Sequence, residues 1–148
     1  LRLGVALDRQ RKHDAAISMY RKTLELMPND PVALNNLAWL LAEQKKNYHE
    51  AIPLAQKAVG LAPNSGELHD TLGWLLFQKG DYKGAEPPLQ KASELLPGNP
   101  SVHFHLGMAQ FMLGRKSEAA SSMRRALQYD PKFDGADKAQ RILQELGG

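Results

Sequence analysis

The residues of this chain that could do chemistry are its histidines and its aromatic side chains, and only the second group has a useful arrangement. His103 and His105 stand two apart, so on a helix they face nearly opposite ways and cannot share a metal ion. His69 and His103 occupy equivalent places and read as packing or surface residues, while His13 and His49 fall at turns. No nucleophile is paired with a base, no glycine-rich phosphate loop follows a strand, and no HExxH-type spacing is present. Cysteine is absent, which removes disulfides, thiol catalysis and thiolate metal sites. The expectation is therefore no enzyme, no catalytic residue, no metal site and no cofactor.

The elements that would position the aromatic residues follow from a repeat. Leu72-Gly73-Trp74-Leu75-Leu76 is followed by Gly80-Asp81-Tyr82, then Ala85, Leu89, Ala92, Leu95 and Pro97. After 34 residues Leu106-Gly107 answers Leu72-Gly73, and Gly114, Ala119, Ala126 and Pro131 answer Gly80, Ala85, Ala92 and Pro97. A fixed period of this size signals stacked supersecondary units. The boundaries expected are 1–30 for a partial first repeat, 31–65, 66–99 and 100–133 for three whole ones, and 134–148 for a C-terminal capping helix. Between Gln44 and Asn47 the register slips by one residue, which a turn absorbs at little cost.

Boundary chemistry predicts nine helices, at about 1–10, 14–27, 31–44, 48–61, 66–79, 82–95, 100–113, 116–129 and 135–146. Asp30, Ser65 and Asn99 are N-cap types at equivalent points, and Asp134 can cap the last helix. Gly80 and Gly114 suit left-handed helix ends. Pro88 lies deep enough in its helix to predict a distorted start. Gly4, Ala38, Gly73 and Gly107 share one column, and Ala16, Ala51, Ala85 and Ala119 face them, so the two helices of each pair can approach closely. Close contact is expected at Gly73 and Gly107, and a leucine at 107 should overpack the pair.

Composition bounds the partners. The net charge is +3 over 148 residues, and basic residues cluster only in Arg9-Gln10-Arg11-Lys12, Arg115-Lys116 and Arg124-Arg125. These short groups read as solvated helix faces, not as a nucleic-acid site. No apolar run reaches the roughly 18 residues of a membrane span. The chain enters a helical pattern directly at Leu1, without Met, and reads as a piece of a longer protein whose compartment is left open between bacterial cytoplasm and periplasm.

The pattern Leu-Gly, Leu, Gly-Asp-Tyr, Ala, Leu, Ala, Pro, in four successive units, resembles the tetratricopeptide repeat. The resemblance implies an all-α, right-handed superhelical solenoid of antiparallel helix pairs that binds peptides or partner domains on a concave face lined by first helices, without catalysis. Phrases such as Thr71-Leu72-Gly73-Trp74 look bacterial, and similar arrays occur in envelope assembly systems. The family's carboxylate clamp does not carry over in either frame. With Asn36 as the middle asparagine, Glu67 and Thr71 stand where lysine and arginine are required. One repeat along, Asn35 and Trp39 replace lysine and asparagine, and Ser101 and His105 replace lysine and arginine.

Family geometry instead assigns to the concave surface Asn35, Trp39, Ala42 and Glu43, then Asp70, Trp74, Phe77 and Gln78, then Phe104, Met108, Phe111 and Met112. The spacing of four, three and one puts each set on one helix face. Two readings stand. In one these residues form an apolar groove for a partner helix or peptide. In the other they are core, as in a helix that is apolar nearly all round. The partner expected is a protein or peptide, with no nucleic acid and no direct membrane insertion. The alternative is a structural spacer or self-association arm, in which Leu3 and Leu7 are poorly covered and copies associate through the N-terminal face.

Overall fold

Helix-start and helix-stop chemistry organises the whole chain. The computed structural model describes residues 2–147, with side chains described from Arg9 onward. Expectations resting on Leu3, Gly4 and Leu7 side chains lie outside these described residues. Within them the architecture is all-α: α1 (Arg2–Leu26), α2 (Pro31–Lys45), α3 (Tyr48–Leu61), α4 (Gly66–Lys79), α5 (Tyr82–Leu95), α6 (Pro100–Met112), α7 (Lys116–Tyr129) and α8 (Ala136–Glu145).

The first helices of the pairs begin at side-chain caps. Asp30 accepts from the backbone N–H groups of Val32 and Ala33, Ser65 from that of Leu68, and Asn99 from that of Val102. Each cap satisfies donors that the helix leaves orphaned. Asn47 and Asp81 cap the second helices α3 and α5 in the same way. The tight turns inside the pairs use left-handed residues: Gly80 at φ 99°, Gly114 at φ 77°, and Lys46 at φ 53° where the register slips.

Three expectations are corrected. The first two predicted helices are one, the 25-residue α1. At the place of Gly80-Asp81 it carries Arg11-Lys12, which offer neither a left-handed stop nor a cap, so the helix continues. Asp134 does not cap α8; Gly135 occupies the N-cap position and no side chain caps it. Finally, α5 runs unbroken through Pro87 and Pro88. The two carbonyls that lose their donors belong to Lys83 and Gly84, in the first turn, where Lys83 is exposed to water.

The chain forms two compact units, the first ending at Pro63 and the second beginning at Asn64. In the first, α2 and α3 pair with Leu34, Leu37, Ala38, Leu41, Ala51, Ala55 and Ala58 buried. Helix α1 lies on this pair. Ile17 is buried, Asn36 Nδ2 donates to the Tyr20 hydroxyl at 3.3 Å, and Lys45 meets Asp14 at 2.6 Å. Arg21 forks onto Glu50 of α3, and this bidentate contact holds the Glu50 carboxyl below its usual range.

In the second unit, α4/α5 and α6/α7 are successive pairs and α8 packs on α7. One cluster gathers Ala85, Leu89, Leu106 and Ala109; another gathers Phe104, Met108, Met123 and Ala126 with Phe133, Ala139, Ile142 and Leu143. The small-residue columns are where helices touch. A Cβ at Gly73 would lie 2.4 Å from Leu89 Cγ and 3.2 Å from the Ala85 carbonyl oxygen. At Gly107 it would meet the Met123 methyl at 2.9 Å.

Two outcomes follow. Leucine at either glycine overpacks its pair, but a methionine tip yields more easily than a leucine branch point backed by main chain. Gly73→Leu should therefore lower stability by about 3 kcal/mol or more and Gly107→Leu by about 1–3 kcal/mol, measured by urea unfolding. Because the folded Glu50 value is depressed, its contribution is present above the unfolded carboxyl value of about 4.3 and is lost as pH falls through the lower folded value. Amide exchange in α1 should quicken over that acid range, and Glu50→Gln should abolish this pH dependence.

Candidate functional site

A helix that turns its small residues and leucines toward its pair partner must turn its other side elsewhere. On α2 that side carries Asn35, Trp39 and Glu43, four residues apart. Trp39 is 40% exposed, whereas its neighbours Ala38 and Leu41 are buried. Beside it an open groove of about 290 Å³ is lined by Ala16, Tyr20, Asn36, Trp39 and Leu40. The Tyr20–Asn36 hydrogen bond closes one wall. Asn35 is half-buried, and among the described residues its buried Oδ1 acceptor has no hydrogen-bond partner. Glu43 is half-buried at the far end and Ala42 is fully buried.

In the second unit the corresponding side of α4 carries Asp70, Trp74, Phe77 and Gln78, all half-buried. The indole of Trp74 lies parallel to the Phe77 ring, with centroids 4.8 Å apart, and on the His105 imidazole at 4.0 Å. Phe77 also leans on Tyr82 at 5.1 Å. Asp70 Oδ1 accepts from His105 Nδ1 at 2.8 Å. Helix α6 contributes unevenly. Phe104 and Met108 are only 8% and 6% exposed, in one cluster with α7 and α8. Phe111 is half-buried against the same cluster, and Met112 is exposed.

The twelve residues assigned from the sequence thus divide. For Phe104 and Met108 the core reading holds, because α8 and the turn before it cover them. Phe133 meets Phe104 edge-on at 5.5 Å, and a Cβ at Gly135 would come within 3.0 Å of both rings. Trp39 and Met112 face water, and Trp74, Phe77 and Phe111 are intermediate. The residue that sequence reasoning missed is His105. Asp70 and His105 sit one position off the same column of successive first helices, and that diagonal offset is the signal that pairs them. Among the described residues, no group of three or more His, Asp or Glu side chains is placed to share a metal ion, and no helix is long and apolar enough to cross a membrane.

The two tryptophans should differ in solution. In single-tryptophan variants, Trp39 emission should be quenched by acrylamide more readily than Trp74 emission. Trp74→Ala should destabilise the fold by about 3 kcal/mol, toward the low end for buried aromatic truncations, and Trp39→Ala by less than about 1 kcal/mol. Equal quenching together with equal stability losses would contradict this division.

Comparison with known proteins adds to this geometry. Tetratricopeptide repeat profiles match residues 1–66 and 76–146. The small glutamine-rich tetratricopeptide repeat-containing protein 2 of Mycosarcoma maydis is 37% identical over 71 residues, 48% of this chain but only 20% of that protein. Among solved structures, YrrB, described as a TPR protein with an unusual peptide-binding site, matches with a TM-score of 0.78 and 27% identity over 95% of this chain and 71% of its own. MamA from AMB-1 matches with a TM-score of 0.81 and 24% identity, over 97% of this chain and 82% of its own, a likeness of fold.

Proposed function

The chain belongs to the tetratricopeptide repeat family, and on that premise we propose that it is a non-catalytic scaffold holding an apolar segment of a partner protein, an amphipathic helix or an extended peptide, against its first helices. The observation that carries this reading is Trp39: an indole 40% exposed between buried Ala38 and half-buried Leu40. An aromatic anchor of that kind is what binding hot spots favour. Asn35 and Glu43 flank it on the same face. In the second unit Trp74, Phe77, Phe111 and Met112 present the contact surface, with Phe104 and Met108 beneath it as support and with Asp70 and Gln78 as polar flanks. Exposed Met112 can repack around varied side chains. The peptide-binding site in the description of YrrB supports a peptide as the class of partner.

The test is a selection of peptides from a random display library on the whole chain, followed by titration of the winners. Trp39→Ala should weaken binding by about 2 kcal/mol or more, with an unchanged melting temperature. Winners indifferent to Trp39→Ala, Trp74→Ala and Met112→Ala alike would overturn the reading.

A specific observation favours the second reading, self-association. Met19 and Leu26 stand seven residues apart on one side of α1, Met27 follows directly after its end, and all three are exposed, Leu26 by 84%. Large exposed apolar patches mark interaction sites. Sedimentation should then show dimers at millimolar concentration that Leu26→Lys disperses; a strict monomer would remove this reading.

A further inference from the structure

The Trp74 indole is flanked by two rings and one of those rings is tethered. Phe77 lies parallel to it within 4° at 4.8 Å, and His105 within 21° at 4.0 Å. Two rings this close to one indole cannot lie side by side on the same face without overlapping, so they cover opposite faces. Phe77 comes from the same helix, three residues on, and its place follows from the helix itself. His105 comes from α6, and nothing in α4 alone would hold it there. Asp70 does so. A carboxylate only accepts hydrogen bonds, so His105 Nδ1 carries the hydrogen that joins the two side chains at 2.8 Å. Asp70 stands one helical turn before Trp74, so carboxylate, imidazole and indole close a ring of contacts between α4 and α6.

We infer that Asp70 and His105 are positioning residues that pin the Trp74 indole in a single pose between two rings, so that a partner meets a rigid edge and not a mobile ring. This rests on the partner-binding reading above and refines it. A fixed aromatic anchor loses little freedom when a ligand arrives. With both faces already stacked, Trp74 offers neither a flat surface for a partner's ring nor a seat for a cation. Its edge, the electropositive part of the ring system, is what remains, and it suits a carbonyl oxygen or the face of a partner aromatic. Among the described residues no ring contact holds Trp39 in this way, so the two indoles would read a partner differently: Trp39 by its face, Trp74 by its edge.

The test needs no partner. In a Trp39→Phe background Trp74 is the only indole, and its acrylamide quenching and emission depolarisation can be read directly. His105→Ala uncovers one of two faces and should raise the quenching constant about twofold and speed depolarisation. His105→Phe keeps a ring on that face and should restore most of the protection. Asp70→Ala should loosen the indole, whereas Asp70→Asn, which keeps an acceptor for the imidazole N–H, should not. Unchanged quenching and depolarisation in His105→Ala would overturn the inference, as would Asp70→Ala behaving like Asp70→Asn. The Asp70 pair keeps the test decisive if His105→Ala fails to fold. A failed peptide selection would leave these readouts intact, and their failure would leave the peptide reading intact.

Discussion

The close approach of α4 to α5 at Gly73 is the contact on which the rest of the second unit depends. With Leu89 and the Ala85 main chain against it, the position has no room for a side chain. The consequence reaches the proposed contact surface directly. Consecutive residues on a helix are turned by about 100°, so once Gly73 faces α5, Trp74 is carried away from that contact. In the first unit Ala38, fully buried, does the same for Trp39. The direction of the two tryptophans is thus a by-product of pairing, fixed by which small residue precedes each.

That arrangement makes one set of side chains serve two ends. Trp74, Phe77 and Phe111 pack on the α6–α7–α8 cluster while part of each remains at the surface. An aromatic side chain is large enough for both, since burying half of it still contributes to the fold. The same sharing goes with a division of the candidate residues by burial: Phe104 and Met108 are interior, and Trp39 and Met112 are exposed. A surface built this way is stiff. Its groups are held by the core they belong to, which would lower the ordering cost of the binding proposed above.

Most of the fold was legible because its rules are local. Proline after Asp30 and Asn99, glycine at 80 and 114, and the small columns each act within a few residues of their own position. The misses are of two kinds. Where a local signal was absent, a periodic pattern was carried too far: Leu-Gly and Ala registers in the first repeat suggested two helices, but Arg11 and Lys12 supply no stop, and α1 is one. Where the outcome depended on a distant element, the sequence was silent. The burial of Phe104 requires Phe133 and α8 to be in place, and the Asp70–His105 bond joins residues 35 positions apart. Of the twelve candidate concave residues, Ala42, Phe104 and Met108 are buried and the other nine keep some exposure, a difference in depth that helical spacing alone does not encode.

One column of the repeat reads Asn35, Asp70 and Phe104. The first two are polar and the third is sealed beneath Phe133. The units are therefore not interchangeable parts. A duplication that copied α6 and α7 and placed the copy before α8 would leave the original Phe104 facing a first helix with nothing shaped to receive it. A copy of α4 and α5 carries no such ring and could be spliced into the middle of the array. Duplication in this kind of chain would thus be tolerated unequally: a copied α4 and α5 uncovers no such ring, whereas a copied α6 and α7 separates Phe104 from Phe133.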